Sequence, residues 1–275
     1  MNHHTIRGYE YMVIDKLPTQ FRSYTQDTVY VRGLYHPEAV MLAKYIGYAK
    51  TNYKQLAEIY KNAIQGIDIY DLEISDFIVC TIISSIYTQK DFGWIPNIPC
   101  KGKINNPEIE KLSKQIIELQ NSDEPNESEI AELRKKLEET PEKVICGANI
   151  TDPIILDDLE FKDTYDGELP IKHSINGKTY DILPLTLRDI IEIEDNKDNE
   201  MYDEVYFSYS RLIKGDYSSK EKYNIVYNGN FGDVEELREI DKKFKVDIKP
   251  VTKRCSKCGT PVNIQLSLMN IKAHP

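Results

Sequence analysis

Arg254-Cys255-Ser256-Lys257-Cys258-Gly259 has the spacing of a zinc-knuckle turn, and an alternating apolar run follows it: Val262, Ile264, Leu266 and Leu268. A degenerate copy stands upstream as Val144-Ile145-Cys146-Gly147, followed by Ile150, Ile154, Leu156 and Leu159. That copy has no cysteine three positions earlier; the one preceding it is Cys100, across a charged segment. Removing about 43 residues from that segment would give Cys100…Cys146 the C-x-x-C spacing of Cys255…Cys258. A chain made of two copies of one unit, each ending in a cysteine pair, has few folds open to it.

Three registers, the cysteines among them, support the duplication. Val31-Arg32-Gly33-Leu34-Tyr35-His36-Pro37-Glu38 resembles Ile182-Leu183-Pro184-Leu185-Thr186-Leu187-Arg188-Asp189 at an offset of about 151. Each reads as a strand, a tight turn and a helix start, and Thr186 with Asp189 has the spacing of a capping box. Glu73-Ile74-Ser75-Asp76-Phe77 opens one apolar helix and Asn230-Phe231-Gly232-Asp233-Val234 another, offset by about 157. The first cysteines stand about 155 apart and the second about 112 apart; the difference equals the proposed insertion.

The composition is that of a soluble globular protein, with 40% hydrophobic and 29% charged residues in a chain of 275. The longest apolar run, Phe77 to Ile83, falls far short of the roughly 20 residues a bilayer span needs and fits a buried helix. The start, Met1-Asn2-His3-His4-Thr5-Ile6-Arg7, has no apolar signal core, which argues against secretion. Five cysteines with one C-x-x-C-G point to a reducing compartment and to metal rather than disulfides. A net charge of -10 argues against nucleic-acid binding, which needs a basic surface. The local basic cluster, Lys249, Lys253, Arg254 and Lys257, is better read as offsetting the charge of thiolates beside it.

Along the chain, 1–17 reads as an arm without regular structure, 18–166 as the first repeat and 167–275 as the second. In the first repeat a β-prone run at 28–32 precedes a helix from Pro37 with Val40, Ala43, Tyr45, Ile46 and Ala49 on its apolar face. A second helix, capped by Thr51 and ended by Gly66, carries Leu56, Ile59, Tyr60, Ala63 and Ile64. Ser75 is the expected cap of a third, apolar nearly all round and hence central to the core. Between about 102 and 142 the spacing of Ile109, Leu112, Ile116 and Leu119, then Ile130, Leu133 and Leu137, predicts an inserted helical hairpin. It is either a solvated accessory or a docking arm. In the second repeat Asn176-Gly177 predicts a β-hairpin turn. Helices follow at about 186–195, 199–214 and 232–246. Tyr202, Val205, Tyr206, Tyr209, Leu212 and Ile213 are the expected stripe of the middle helix, and Val234, Leu237, Ile240, Asp241 and Phe244 that of the last. The expected fold is α+β, mainly helical: a duplicated unit of strand, three helices and a knuckle hairpin.

A structural zinc needs four thiolate or imidazole ligands in a closed tetrahedron. Cys100, Cys146, Cys255 and Cys258 form the candidate set, one zinc joining the two copies. A vestigial or metal-free first pair is the competing reading. Catalytic zinc would need an open position and His or carboxylate ligands, which the knuckle lacks. Cys80 is a core residue, and His3, His4, His36, His173 and His274 are expected at the surface. Asp157 and Asp158 sit in a strand-like run without an acid–base partner. No phosphate loop, Ser-His-Asp order or H-E-x-x-H is present. Nineteen tyrosines suit either ordinary core and rim positions or protein–protein contacts.

The order of these features resembles one family. A Leu17-Pro18 lead precedes a strand running into Arg32-Gly33-Leu34-Tyr35-His36-Pro37-Glu38, and Ile74-Ser75-Asp76 opens a helix. Phe92-Gly93, a cysteine pair and Leu156-Asp157-Asp158-Leu159 come next, then the strand with Pro184-Leu185-Thr186 and a closing C-x-x-C-G strand. This layout is similar to that of the baseplate hub proteins of T-even-type contractile-tailed bacteriophages. Two features depart from the family pattern: the first cysteine pair is split, and the aromatic-rich ending is replaced by Asn270-Ile271-Lys272-Ala273-His274-Pro275. The resemblance implies a non-enzymatic structural component of the tail baseplate that contacts other hub and tail proteins. It implies location in the virion, and in the host cytoplasm during assembly. An assembly factor absent from the mature virion, a cytoplasmic zinc-ribbon nucleic-acid binder and a metal-dependent hydrolase are the alternatives; the acidic balance and the missing hydrolase ligands weigh against the last two.

Overall fold

The computed structural model describes residues 3–47, 52–88, 95–96, 98–122, 126–165 and 167–266. Helix accounts for 42% and strand for 20%, with nine α-helices and several small sheets among the described residues. Two compact units are present. One comprises Met1–Trp94, Ile154–Val251 and Gln265–Pro275; the other comprises Ile95–Pro153 and Thr252–Ile264. Compactness thus follows a different line from the repeat boundaries at 18–166 and 167–275.

The first segment opens with strands in what was expected to be an unstructured arm. β1 (His3–Ile6) and β2 (Tyr9–Ile14) form a hairpin, and its turn uses Arg7 and Gly8 at φ 53° and 83°. Two consecutive positive φ values match the right-handed twist of the flanking strands. β2 is held by β3 (Val29–Val31), with Met12 opposite Val31, and Tyr11 and Met12 are buried. In helix α1 (His36–Gly47), Ala39 and Leu42 are buried, while Val40, Ala43 and Tyr45 are half-buried. Helix α2 (Tyr53–Tyr60) is capped by Asn52, whose side chain accepts from Gln55 N at 2.9 Å; Thr51, Ala49 and the Ile46 side chain lie outside the described residues. The helix stops at Tyr60, before the expected Gly66, because the chain turns into β4 (Ile64–Gln65) and pairs with β3. Helix α3 (Ile74–Thr88) buries Phe77, Val79, Cys80, Ile82, Ile83 and Ile86, as its all-round apolarity requires. Ser75 does not cap it. Lying inside the first turn, Ser75 donates from Oγ to Phe244 O at 2.8 Å.

The next segment, in the second unit, is the helical hairpin. β5 (Lys103–Asn105) leads into α4 (Pro107–Gln120), α5 (Glu127–Glu139) and β6 (Lys143–Ile145), and β5 pairs with β6 as a stem. Asn106 caps α4, with Pro107 in its first turn where the missing N–H is harmless. Leu112, Ile116 and Ile130 form the buried seam, and Lys136 reaches Glu108 at 3.5 Å across it.

From Ile154 the chain returns to the first unit. Asp157 and Asp158 lie in a 3-10 turn (Leu156–Asp158), not a strand: Asp158 Oδ2 accepts from Ile155 N at 2.9 Å and closes the turn. β7 (Phe161–Lys162) follows, then β8 (Ile171–Ile175) and β9 (Lys178–Ile182), joined through Asn176 and Gly177 at φ 51° and 77°. Helix α6 (Leu187–Asp195) opens on the expected Thr186–Asp189 capping box. Helix α7 (Glu204–Ser210) is far shorter than the predicted 199–214, because Asp203 caps it late and the chain leaves it for β10 (Ile213–Lys214). Its buried residues are Phe207 and Ser210; Val205, assigned to the buried stripe from spacing, is 56% exposed. Helix α8 (Ser219–Tyr227) was not expected and brings the helices here to four, although Ser218 and Glu221 form a capping box visible in the sequence. Helix α9 (Phe231–Lys243) starts after Asn230, as expected, and buries Val234, Leu237 and Ile240. β11 (Asp247–Ile248) pairs back on β7. The chain then enters the knuckle hairpin, β12 (Val251–Arg254) and β13 (Pro261–Ile264).

Within the first unit the two larger sheets have the orders β1-β2-β3-β4 and β10-β9-β8. β4 lies beside β3 as β10 lies beside β9, with Val31 opposite Ile64 and Ile182 opposite Ile213. Arg32 N donates to Ala63 O at 2.9 Å, and Leu183 N to Leu212 O at 3.0 Å. Glu38 accepts from Tyr35 N at 2.8 Å, as Asp189 does from Thr186 N at 2.9 Å. Asp76 accepts from Thr19 N at 3.1 Å, as Asp233 does from Asn176 N at 2.8 Å. A short bridge joins the two halves of this unit: Glu73 pairs with Thr186, and Ile74 N and Leu187 N donate to Leu185 O and Leu72 O.

Candidate metal centre

The four predicted cysteines meet in the second unit. All their sulfurs lie within 4.8 Å of one another, with Cys100, Cys146 and Cys255 buried and Cys258 half-buried. Cys100 Sγ is 3.5 Å from Cys258 Sγ, and Cys146 Sγ is 3.7 Å from Cys255 Sγ. Zinc–sulfur bonds of about 2.3 Å in a tetrahedron put sulfurs about 3.8 Å apart. The spacing therefore suits a four-thiolate zinc ion.

Backbone geometry explains how two cysteines that far apart in sequence make a knuckle. Cys255 N donates to Thr260 O at 3.0 Å and Gly259 N to Cys255 O at 2.8 Å, closing a ring around the C-terminal pair. On the other side Cys100 N donates to Ala148 O at 2.8 Å and Gly147 N to Cys100 O at 3.0 Å. The same two bonds are made in the same places. Gly147 and Gly259 sit at φ 66° and 72°, the left-handed conformation that glycine takes without a steric penalty. The split pair is therefore an ordinary knuckle at its base, with the β5–β6 stem leaving through its middle: Cys146 N donates to Gly102 O at 2.7 Å.

Two residues near the sulfurs were not singled out from sequence. Gly102 donates its amide to Cys100 Sγ at 3.3 Å, and a Cβ there would come within 2.3 Å of Thr260 Oγ1. Thr260 Oγ1 lies 3.2 Å from Cys258 Sγ. The signal for Gly102 was its place two residues after a cysteine, where backbone must approach sulfur closely. Thr260 carried none. Of the basic cluster, Arg254 reaches Gly259 O at 3.3 Å, whereas Lys249 pairs with Glu160 at 2.8 Å.

Four thiols this close share their protons unevenly. The hydrogen bond with Thr260 lowers Cys258 to about 6. The Gly102 amide pulls Cys100 down, but desolvation and the sulfurs of Cys258 and Cys255 outweigh it and push Cys100 up to about 12. Cys146 is raised for similar reasons, against the pull of the Ala148 amide. One thiolate is easy and four are not, so a dication is what lets all four ionise together. With four sulfurs closing the tetrahedron, no position is left for water or substrate, and the chemistry such a centre offers is cross-linking.

Among the described residues this is the one cluster of metal-ligating side chains. Cys80 is fully buried in α3, as expected, and His3, His4 and His36 are exposed. His274 lies outside the described residues. His173 is buried rather than at the surface, because its Nε2 bonds Asp233 O at 3.0 Å. Two buried carboxylates escaped notice. Asp76 takes hydrogen bonds from Thr19 and Tyr24, Glu73 takes one from Ser23, and desolvation raises them to about 6 and about 7. No described helix is long and apolar enough to cross a membrane. Comparison with family models, curated proteins and solved structures finds no match for the chain.

Proposed function

We propose that this chain is a non-enzymatic structural component of a contractile phage tail baseplate, in its central hub region, held together by one zinc on Cys100, Cys146, Cys255 and Cys258. The observation that carries the reading is the closed cluster of four cysteines, two from each knuckle, with identical backbone bonds at both. Such a centre ties distant parts of a chain permanently and leaves no site for a substrate. The order of motifs along the sequence supports the hub assignment. The net charge of -10 favours protein partners, other hub and tail subunits, over nucleic acid.

The two halves are copies of one unit. This reading rests on the paired sheet orders, the matching capping carboxylates Glu38 and Asp189, and the matching turn contacts of Asp76 and Asp233. β2 corresponds to β8 on this alignment, so the first copy begins inside the β1–β2 hairpin. The helical hairpin then interrupts the first knuckle, and α8 is an elaboration of the second copy.

Two measurements test the proposal. Metal analysis of the purified protein is expected to give one zinc per chain with all-sulfur coordination; zinc-free protein, or a site with a His or water ligand, overturns the centre. Mass spectrometry of purified virions is expected to find the chain in the particle. Its absence from virions, with the gene still in a tail cluster, points to an assembly factor, and absence from any tail cluster rejects the hub assignment.

A further inference from the structure

An apolar groove of about 470 Å³ lies in the first unit where its two halves meet. It is lined by Ile74 and Ile78 of α3, Leu185 ahead of α6, Ile190 and Ile193 on α6, and Phe244 at the end of α9. The five aliphatic side chains are only half-buried, although Phe77 and Leu187, close by in the chain, are fully buried.

The polar side chains of the lining are already engaged. Ser75 Oγ donates to Phe244 O at 2.8 Å and accepts from Val246 N at 3.1 Å, and Ser208 Oγ donates to Glu204 O at 2.8 Å. Asp241 pairs with Lys245 at 2.9 Å, and Glu73 accepts from Ser23 Oγ. Polar groups that have their partners ask nothing of a ligand, so the groove offers apolar surface. An apolar cavity of about 150 Å³ holds one benzene-sized group, so the groove has room for roughly three.

The chain brings a fitting segment to this place. Gln265 Nε2 donates to Ile248 O at 2.9 Å, and two residues before Ile248 stands Val246, in the lining of the groove. Two extended residues span about 7 Å, and the five residues 267–271 reach up to about 17 Å. Gln265 is exposed and Leu266 buried, so a period of two turns Leu268 to the buried side. Leu268, Met269 and Ile271 then put three apolar side chains within four residues; 267–275 lie outside the described residues.

We propose that the segment 268–271 folds back into this groove and straps the two halves of the first unit together. Leu268, Met269 and Ile271 lie against the half-buried isoleucines of α3 and α6, and the occupant of the groove is the chain's own tail.

The test is methyl NMR on the full zinc-loaded chain, with the methionine ε and isoleucine δ1 methyls labelled. Cross-peaks are expected from the Met269 methyl to those of Ile78, Ile190 or Ile193, unchanged on dilution. Ending the chain after Leu266 should erase them and shift the three isoleucine signals, while retained zinc and unmoved signals from Ile14 and Ile175 verify the fold. Leu268→Asp, which keeps the length, should lose the same cross-peaks, because a carboxylate finds no free partner in this lining. Groove isoleucines that do not move on truncation overturn the proposal, as do Met269 cross-peaks that reach only methyls elsewhere. Cross-peaks seen only between differently labelled chains in a mixed sample also overturn it, by giving the groove to a second copy.

Discussion

Replacing Cys146 with Ser tests how far the second unit depends on its metal. Cys146 is 7% exposed and faces Cys255 at 3.7 Å, so a hydroxyl there would present a hard, protonated oxygen where a thiolate belongs. The unit has little else to hold it. Its buried aliphatic side chains are Leu112, Ile116, Ile130, Ile150 and Ile264, each contributing about 1.5–3 kcal/mol. A structural zinc supplies about 10–16 kcal/mol of apparent folding free energy, as much as that whole set. A unit this small is marginal on such a core alone. The expected result is loss of zinc together with unfolding of the knuckle. Hydrogen exchange followed by mass spectrometry reads this directly: the amides of Cys100, Cys146, Gly147, Cys255 and Gly259 should lose protection, while those of β8, β9 and α3 keep theirs. Protection at the knuckle equal to that of the parent protein, with zinc gone, would refute the argument that metal rather than packing holds the unit.

Three other outcomes are expected. Burial raises Glu73 to about 7, above its ordinary value of 4.5, so the folded state binds the proton more tightly and stability falls as pH rises from about 4.5 to 7; Glu73→Gln should flatten that slope and stabilise the protein at pH 8 in urea titrations. Phe77→Ala should cost about 3–5 kcal/mol, measured by denaturant unfolding, because the ring is fully buried and packs edge-on against Tyr60 at 6.4 Å. Deleting 106–142 and closing β5 onto β6 with Asn-Gly should leave one zinc per chain, since the ring bonds of Cys100 with Gly147 and Ala148 lie outside the deletion.

The cysteine set and the inserted hairpin were legible because each has a strong local code. Thiol spacing announces a knuckle, and the three-four spacing of Ile109, Leu112, Ile116 and Leu119, repeated in Ile130, Leu133 and Leu137, announces a helical seam. The capping carboxylate Asp189 and the Asn176-Gly177 turn were legible for the same reason. The β1–β2 hairpin was not, because its outer strand is exposed and its stability comes from β3, some 20 residues on. Helix α7 was overextended because Leu212 and Ile213 continue an apolar spacing that belongs to β10. Asp76 and Glu73 could not be found, since what makes them unusual is burial against Thr19, Ser23 and Tyr24, some 50 residues earlier in the chain.

The split knuckle separates where the four sulfurs stand from how long the chain is. Its ring is closed by bonds between Cys100, Gly147 and Ala148, so the sulfurs hold their places whatever lies between Gly102 and Cys146. Lengthening a loop costs only about 0.6 kcal/mol per doubling, a small fraction of what a bound ion contributes. The middle of a C-x-x-C turn is thus a port at which a lineage can graft new surface without renegotiating the core. The same port is available to an engineer who wants to display a peptide or a small domain on this scaffold.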